Sequence, residues 1–490
     1  MRTSRAAFAA SLTALLALSL APPVTAAPQS PQWTDCDADP ATPLECATLR
    51  APLDYRAPGG KTVELAISRL KAADPAKRHG VLLVNPGGPG GSGLDMPLGL
   101  AQTFPKDVLD RFDLIGFDPR FVGRSSPLSC GFTGTVFDAL WPRLPGPGGF
   151  PAEAKAAKEV ARQCQRAEGD RLPFASTRNA ARDLDVVRAG LGEQRISFYG
   201  GSYGTYLGAV YGQLFPARVD RMVLDGAIDP AKVWHGMNRG WGPAAETAFA
   251  DWVDWAAERD ATYHFGATPA AVRAHYAELG RALDQRPAQY GQLKLDGNTL
   301  REVSRLVLYS DRSDPVLAGL VADLADGQLS DPAVRGFLDA VLATFPADNF
   351  VSVFLAVQCT DAAWDRDPAR YAAETALDAK RYPFFGAAAA GIGPCAYWPH
   401  RPLEQTTKIR PARHGSLVVG ATGDSATPYA GAVSMRRMLG ANARLLTLAD
   451  ARMHGLYARY GNACVDNTVT KYLVSGSLPE ADQRCANVPG

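Results

Sequence analysis

The stretch Arg195-Ile196-Ser197-Phe198-Tyr199-Gly200-Gly201-Ser202-Tyr203-Gly204, followed by the run Thr205 to Phe215, decides how this chain is read. Its first half is a short apolar run of the kind that forms a buried strand, and its last half suits a helix. Between them stands the pattern G-x-S-x-G. A serine on so sharp a strand-to-helix turn must adopt a strained backbone, and a Cβ on the flanking residues would clash, which is why glycines surround it. That context is a nucleophile elbow, and it makes Ser202 the expected nucleophile.

The same rhythm continues outward. Short apolar runs ending in Gly, Asp or Asn recur at Val81 to Val84, Phe112 to Phe117, Met222 to Leu224, Leu417 to Val419 and Leu445 to Leu448. They read as parallel strands buried on both faces. Helical patterns lie between several of them. Asn179 to Leu191 places Leu184, Val187 and Leu191 on one face, with Ser176 or Thr177 available as a cap. Strands alternating with helices predict an α/β class protein, a doubly wound, mostly parallel sheet with its ligand site at the carboxyl ends of the strands. With the elbow, this is the α/β-hydrolase pattern. The rhythm is lost between about Pro230 and Arg410, an Ala-rich, mainly helical stretch read as an inserted cap. A Pro/Gly-rich loop, Trp141 to Pro151, forms a separate insertion.

Acyl transfer on a serine needs donors for the oxyanion and a base with its acid. Tyr203, the residue after the nucleophile, offers one backbone N–H. The second is expected from the glycine-rich loop Asn85-Pro86-Gly87-Gly88-Pro89-Gly90-Gly91 after the strand at Val81 to Val84. Pro86 has no N–H, so Gly88 is the choice and Gly87 the reserve. In this fold the chain order is Ser, acid, His. His454, in Asp450-Ala451-Arg452-Met453-His454-Gly455, is the one histidine of seven placed after the last acid loop. Asp424 follows the strand at Leu417 to Val419 and precedes His454 by 30 residues. Asp225, at the end of Val223-Leu224, is its rival.

Composition bounds the rest. With 490 residues, 46% hydrophobic and 21% charged, there is material for a large core, and a net charge of +1 supplies no global field for nucleic acid or an anionic membrane. Arg2 and Arg5, the apolar run Ala6 to Leu20 and the small residues Val24-Thr25-Ala26 read as a signal peptide, so the mature chain is expected from near Ala27 and the protein outside the cell. All eight cysteines fall after it, and an even count in an exported chain reads as disulfides. Their spacing suggests Cys36 with Cys46, Cys130 with Cys164, Cys359 with Cys395 and Cys464 with Cys485, although the count leaves many connectivities open. No pair has the close spacing of a structural zinc site, and no metal or cofactor is called for. The layout is a leader over 1–26, the first part of the sheet domain over 27–229, the cap over 230–410, and over 411–490 the C-terminal part carrying acid and His.

Several segments in combination resemble the secreted tripeptidyl aminopeptidases of actinobacteria, in the prolyl-aminopeptidase-like branch of the α/β hydrolases. They are Asn85 to Gly93, Gly116-Phe117-Asp118-Pro119-Arg120 with Gly123-Arg124-Ser125, Asp183 to Gly204, Leu224-Asp225-Gly226, and the terminal acid and His loops. The resemblance implies a triad of Ser202, Asp424 and His454, and a C-terminal segment, about Pro411 to Cys485, similar to the one named after these enzymes. Pro86 departs from the pattern, since that branch usually has His before Gly-Gly-Pro-Gly. Aminopeptidase action also requires a group for the free α-ammonium, which a cap carboxylate would provide. Asp361, beside Cys359 and matching a cysteine-plus-acid motif of the family, is the first candidate and Glu246 the second. Asp118 and Arg120 are expected to pair with each other and shape the oxyanion loop.

The sequence therefore predicts a secreted serine exopeptidase that releases short peptides, tripeptides by resemblance, from free N-termini. Its partners would be peptides or small molecules, without nucleic acid or stable membrane association. An esterase or amidase acting on a small metabolite would use the same triad, and a non-catalytic binding protein on a hydrolase scaffold is the alternative outside enzymes.

Overall fold

A computed structural model describes residues 29–36, 43–146 and 148–488. The leader expected over 1–26 lies outside the described residues. The strands β1 (Thr34–Asp35), β2 (Glu45–Pro52), β3 (Thr62–Leu70), β4 (Gly80–Asn85), β5 (Phe112–Phe117), β6 (Ile196–Gly201), β7 (Val219–Asp225), β10 (Ser416–Ala421), β11 (Ala443–Leu448) and β12 (Gln483–Cys485) form one sheet of ten, in the order 1-2-3-5-4-6-7-10-11-12. A separate antiparallel hairpin joins β8 (Ala288–Tyr290) to β9 (Leu293–Leu295).

From β5 to β12 neighbouring strands run parallel, and all six strands read from the apolar runs are among them. Their continuous hydrophobicity has a direct cause. On β4, Val81 and Leu83 enter the core on one face of the sheet while Leu82 and Val84 enter the core on the other. A strand covered on both faces has no polar positions to alternate with. The antiparallel edge formed by β1, β2 and β3 was not anticipated. There Ala47, Leu49 and Ala51 are buried and Thr48 and Arg50 exposed, the period-two signature of a strand wetted on one face.

Strand order places the site. β4 is flanked by β5 and β6, so the loops leaving β4 and β6 emerge side by side, with Asn85 in register with Gly200. Such a switch point at the carboxyl edge is where open α/β sheets bind ligands.

Between β7 and β10 the chain is mainly helical, as expected of the cap. The helix Gly297–Val307 starts where the Asp296 side chain accepts the Thr299 N–H at 2.9 Å, and it buries Leu300, Val303 and Val307. The helix Ala347–Asp361 is buried from Phe350 onward and is tied by the disulfide Cys359–Cys395. The other three bridges are Cys36–Cys46, Cys130–Cys164 and Cys464–Cys485, the pairing the spacing suggested. Within the Cys130–Cys164 loop the Pro/Gly-rich segment ends earlier than expected, because a helix, Gly149–Glu168, begins inside it. Asp118 and Arg120 do not pair. Arg120 meets Asp183 with two bonds of 2.7 Å, both partners buried. Asp118 instead accepts the Ser92 hydroxyl at 2.7 Å and the N–H groups of Gly93 and Arg124 at 2.9 Å, so it holds the far end of the glycine-rich loop alone.

Candidate active site

Ser202 stands between β6 and the helix Tyr203–Leu214 with φ 55° and ψ −125°, a conformation costly for a residue with a Cβ. Its neighbours enforce it. Ser202 donates its N–H to the Asp225 carbonyl at 3.0 Å, and its own carbonyl accepts the Thr205 hydroxyl at 2.6 Å. The glycines of the motif are steric necessities: a Cβ at Gly200 would lie 2.5 Å from the Gly204 carbonyl, and one at Gly204 would lie 2.8 Å from Asn85.

The glycine-rich loop leaving β4 packs directly on this turn. A Cβ at Gly87 would stand 2.9 Å from both the Ser202 Cβ and the Tyr203 nitrogen. The Gly87 N–H is already donated to Asn85 Oδ1 at 3.1 Å, which removes the reserve oxyanion donor. Gly88, with φ 107°, lines the same cavity as Ser202. The Tyr203 N–H, on the residue after Ser202, and that of Gly88 are left as the candidate oxyanion donors.

The His454 Nδ1 lies 3.0 Å and 3.2 Å from the two carboxylate oxygens of Asp424. Asp424 is buried and also accepts the N–H groups of Ala426 and Thr427 at 2.9 Å and the Thr427 hydroxyl at 2.9 Å. These contacts fix the carboxylate, which in turn fixes the imidazole and leaves Nε2 for the nucleophile. Ser202 and His454 line one cavity. Asp225, the rival acid, is buried beneath the His loop and accepts the N–H groups of Leu456 and Tyr457 and the Tyr199 hydroxyl. Burial raises its carboxyl above the ordinary range.

The cavity encloses about 290 Å3 and is mostly apolar. The cap contributes Met237, Trp241, Phe350 and Phe354, and the disulfide-closed insertion contributes Phe137 and Trp141. Among the described residues its one carboxylate is Glu302, on the helix Gly297–Val307, and Arg305 and Arg459 line it too. Glu302 is 8% exposed, its Oε2 accepts Arg305 Nε at 3.4 Å, and its Oε1 has no hydrogen-bond partner. Burial pushes its pKa upward.

Both carboxylates expected from the sequence to meet the substrate ammonium are engaged elsewhere. Asp361 accepts from Thr177 and Trp234 and borders a different cleft, with Arg178 and Glu404. Glu246 accepts from Arg273 at 3.0 Å and from the Phe384 N–H at 2.8 Å, outside the cavity. Nothing in the linear sequence marks Glu302 as a cavity residue: it sits at an ordinary helix spacing from Arg305. Among the described residues no group of His, Cys, Asp and Glu could hold a metal ion, and no single helix is long and apolar enough to cross a membrane.

A strained serine on a strand-to-helix turn, a glycine-rich loop packed against it and an Asp-His pair on the carboxyl edge of a parallel sheet are the parts of a serine hydrolase. Comparison with known proteins narrows this. A family model described as the α/β-hydrolase fold matches residues 80–309, and one described as TAP-like protein matches residues 382–485. The chain is 36% identical to the tripeptidyl aminopeptidase of Streptomyces coelicolor, covering 93% of this chain and 85% of that protein. It is 31% identical to the serine protease Hip1 of Mycobacterium tuberculosis, covering 93% and 91%, and 35% identical to the carboxylesterase B of the same species, covering 95% and 91%. The chain belongs to the tripeptidyl aminopeptidase-like family of α/β hydrolases.

Proposed function

We propose that this protein is a secreted serine exopeptidase that removes short peptides, tripeptides by similarity to its relatives, from free N-termini. Ser202 attacks the scissile carbonyl while His454 takes its proton, and Asp424 orients the ring and offsets the imidazolium charge. The Tyr203 and Gly88 N–H groups bind the oxyanion. His454 then protonates the leaving amine, and water releases the acyl peptide from Ser202 by the reverse of the same steps.

The observation that carries the exopeptidase reading is Glu302. One oxygen of this carboxylate is paired with Arg305, while the other, buried in the same cavity as the nucleophile, has no partner and can accept a further charge-assisted hydrogen bond. A peptide's terminal ammonium supplies that donor, and the apolar walls bury the side chains that follow. Glu302 therefore takes the role first assigned to Asp361 and Glu246. Four disulfides fit an oxidising compartment and support secretion. An esterase reading draws support from the apolar lining and from the carboxylesterase B relative.

The test is kcat/KM for a fluorogenic tripeptide amide with a free N-terminus, its N-acetylated twin and an aryl ester, with Ser202→Ala as the blank. Preferential cleavage of the free-amine peptide with release of the intact tripeptide supports the exopeptidase. Turnover of the ester alone transfers the assignment to an esterase.

A further inference from the structure

We propose that Asp361 is a positioning residue that holds the oxyanion donor Tyr203 through Thr177, so that the end of a cap helix governs transition-state stabilisation at Ser202. The inference rests on the reading of Ser202 as nucleophile and of the Tyr203 N–H as an oxyanion donor.

Asp361 ends the helix Ala347–Asp361, two residues beyond the disulfide-bonded Cys359, and is 7% exposed. Its Oδ1 accepts the Thr177 N–H at 2.7 Å and its Oδ2 accepts the Thr177 hydroxyl at 2.5 Å. Thr177 opens the helix Thr177–Gly190, where unsatisfied N–H groups and the helix dipole favour a carboxylate. Once Asp361 has ionised, above about pH 7, its carboxylate only accepts, so the single hydroxyl hydrogen of Thr177 is committed to it. The Tyr203 hydroxyl, 2.9 Å from Thr177 Oγ1, must then be the donor in that bond. The result is a one-way chain from the Tyr203 hydroxyl through the Thr177 hydroxyl to Asp361.

A second arm reaches the same ring. The Trp234 indole N–H donates to Asp361 Oδ2 at 3.2 Å, and its ring centroid lies 5.9 Å from that of Tyr203. The Tyr203 side chain, 2% exposed, is thereby fixed by two groups that both terminate on one carboxylate. Its backbone N–H adjoins Ser202, where small displacements of a donor cost rate steeply. Asp361 does not touch substrate. It fixes the residue that does.

The experiment compares wild type, Asp361→Asn, Tyr203→Phe and the double variant. It reads kcat and KM on the free-amine tripeptide amide and on an aryl ester, and Ki for a peptidyl trifluoromethyl ketone, whose serine adduct carries an oxyanion, beside Ki for the free tripeptide. Asparagine reverses the hydrogen-bond direction at Thr177, and phenylalanine removes the hydroxyl alone. Each single change is expected to lower kcat about tenfold on both substrates and to weaken the ketone in parallel, with KM and tripeptide binding unchanged. The double variant should be no worse than the singles, because both cut one chain.

Unchanged kcat with a lowered Tm would reduce Asp361 to a fold strut and overturn the proposal. A raised KM confined to the free-amine peptide would make it a substrate contact and overturn it equally. Additive losses in the double variant would deny the chain. Turnover surviving in Ser202→Ala would remove the underlying reading and the proposal with it. If Asp361→Asn does not fold, Tyr203→Phe and Thr177→Val interrogate the same chain from its other members.

Discussion

The Asp225 carboxylate accepts the backbone N–H of Leu456 at 2.9 Å, two residues beyond His454. With the Tyr457 N–H and the Tyr199 hydroxyl it makes Asp225 the pin beneath the His loop, while the acid that touches the imidazole is Asp424. The two strand-end aspartates are therefore expected to fail differently. Asp225→Ala leaves buried donors unpaired and should cost about 3 kcal/mol of stability. It should also lower kcat about tenfold as His454 shifts. Asp424→Asn should leave thermal unfolding nearly unchanged and lower kcat on the order of 10^4-fold, by orienting the wrong imidazole tautomer. Paired calorimetry and kinetics separate them.

Ser202→Ala should abolish labelling by a fluorophosphonate and reduce turnover to the rate of substrate in buffer alone. The fold is expected to survive, since the turn depends on backbone bonds to Asp225 and Thr205 that alanine keeps. A labelled Ser202→Ala protein would show that another serine reacts.

Glu302→Gln should erase the preference for a free amine over its acetylated twin, with the loss in KM or in kcat/KM and on the order of 100-fold if the ammonium is fully desolvated. Ester turnover and fluorophosphonate labelling are expected to persist, which distinguishes a lost anchor from a lost fold. A full preference in the variant would place the anchor elsewhere.

Arg452 ties the His loop to the cap. It donates to Asp314 at 2.5 Å and to the Leu308 carbonyl at 3.0 Å, with both ion-pair partners buried. Arg452→Met strands the Asp314 charge and should cost about 3–5 kcal/mol. Adding Asp314→Asn should restore much of that, because the stranded charge is gone. The cycle is read from Tm and from kcat/KM.

Asp361 also predicts a pH dependence. Burial pushes its carboxyl up to about 7 from 3.8, against the opposing hydrogen bonds from Thr177 and Trp234. The folded state thus holds this proton through a range where the unfolded chain has released it. Folding stability from this group is present below the unfolded value and is lost as pH rises from about 4 to about 7. The Tm of wild type relative to Asp361→Asn should accordingly be higher at pH 5 than at pH 8. A constant difference would mean that Asp361 titrates alike in both states.

Much of this protein is local in origin. The buried parallel strands were legible because a strand covered on two faces is written as an unbroken apolar run, as Val81 to Val84 shows. The elbow was legible because its strain demands glycine at fixed offsets from Ser202. Asp424 and His454 follow from chain order, and the four disulfides agree with sequential spacing. What was not legible depends on contacts between distant segments. Asp361 and Glu246 have the right chemistry for an ammonium, but burial and partners had already claimed them. Asp118 and Arg120 are two residues apart, yet Arg120 turns to Asp183, 63 residues onward.

By itself, then, the sequence determined the six central parallel strands and the turn that presents Ser202, because backbone sterics and hydrophobic period act within a few residues. The tertiary structure alone decided which carboxylate faces the cavity and which acids serve as struts. A carboxylate's role depends on whether its oxygens are already satisfied, and those donors come from helices and loops that meet only when the chain has folded.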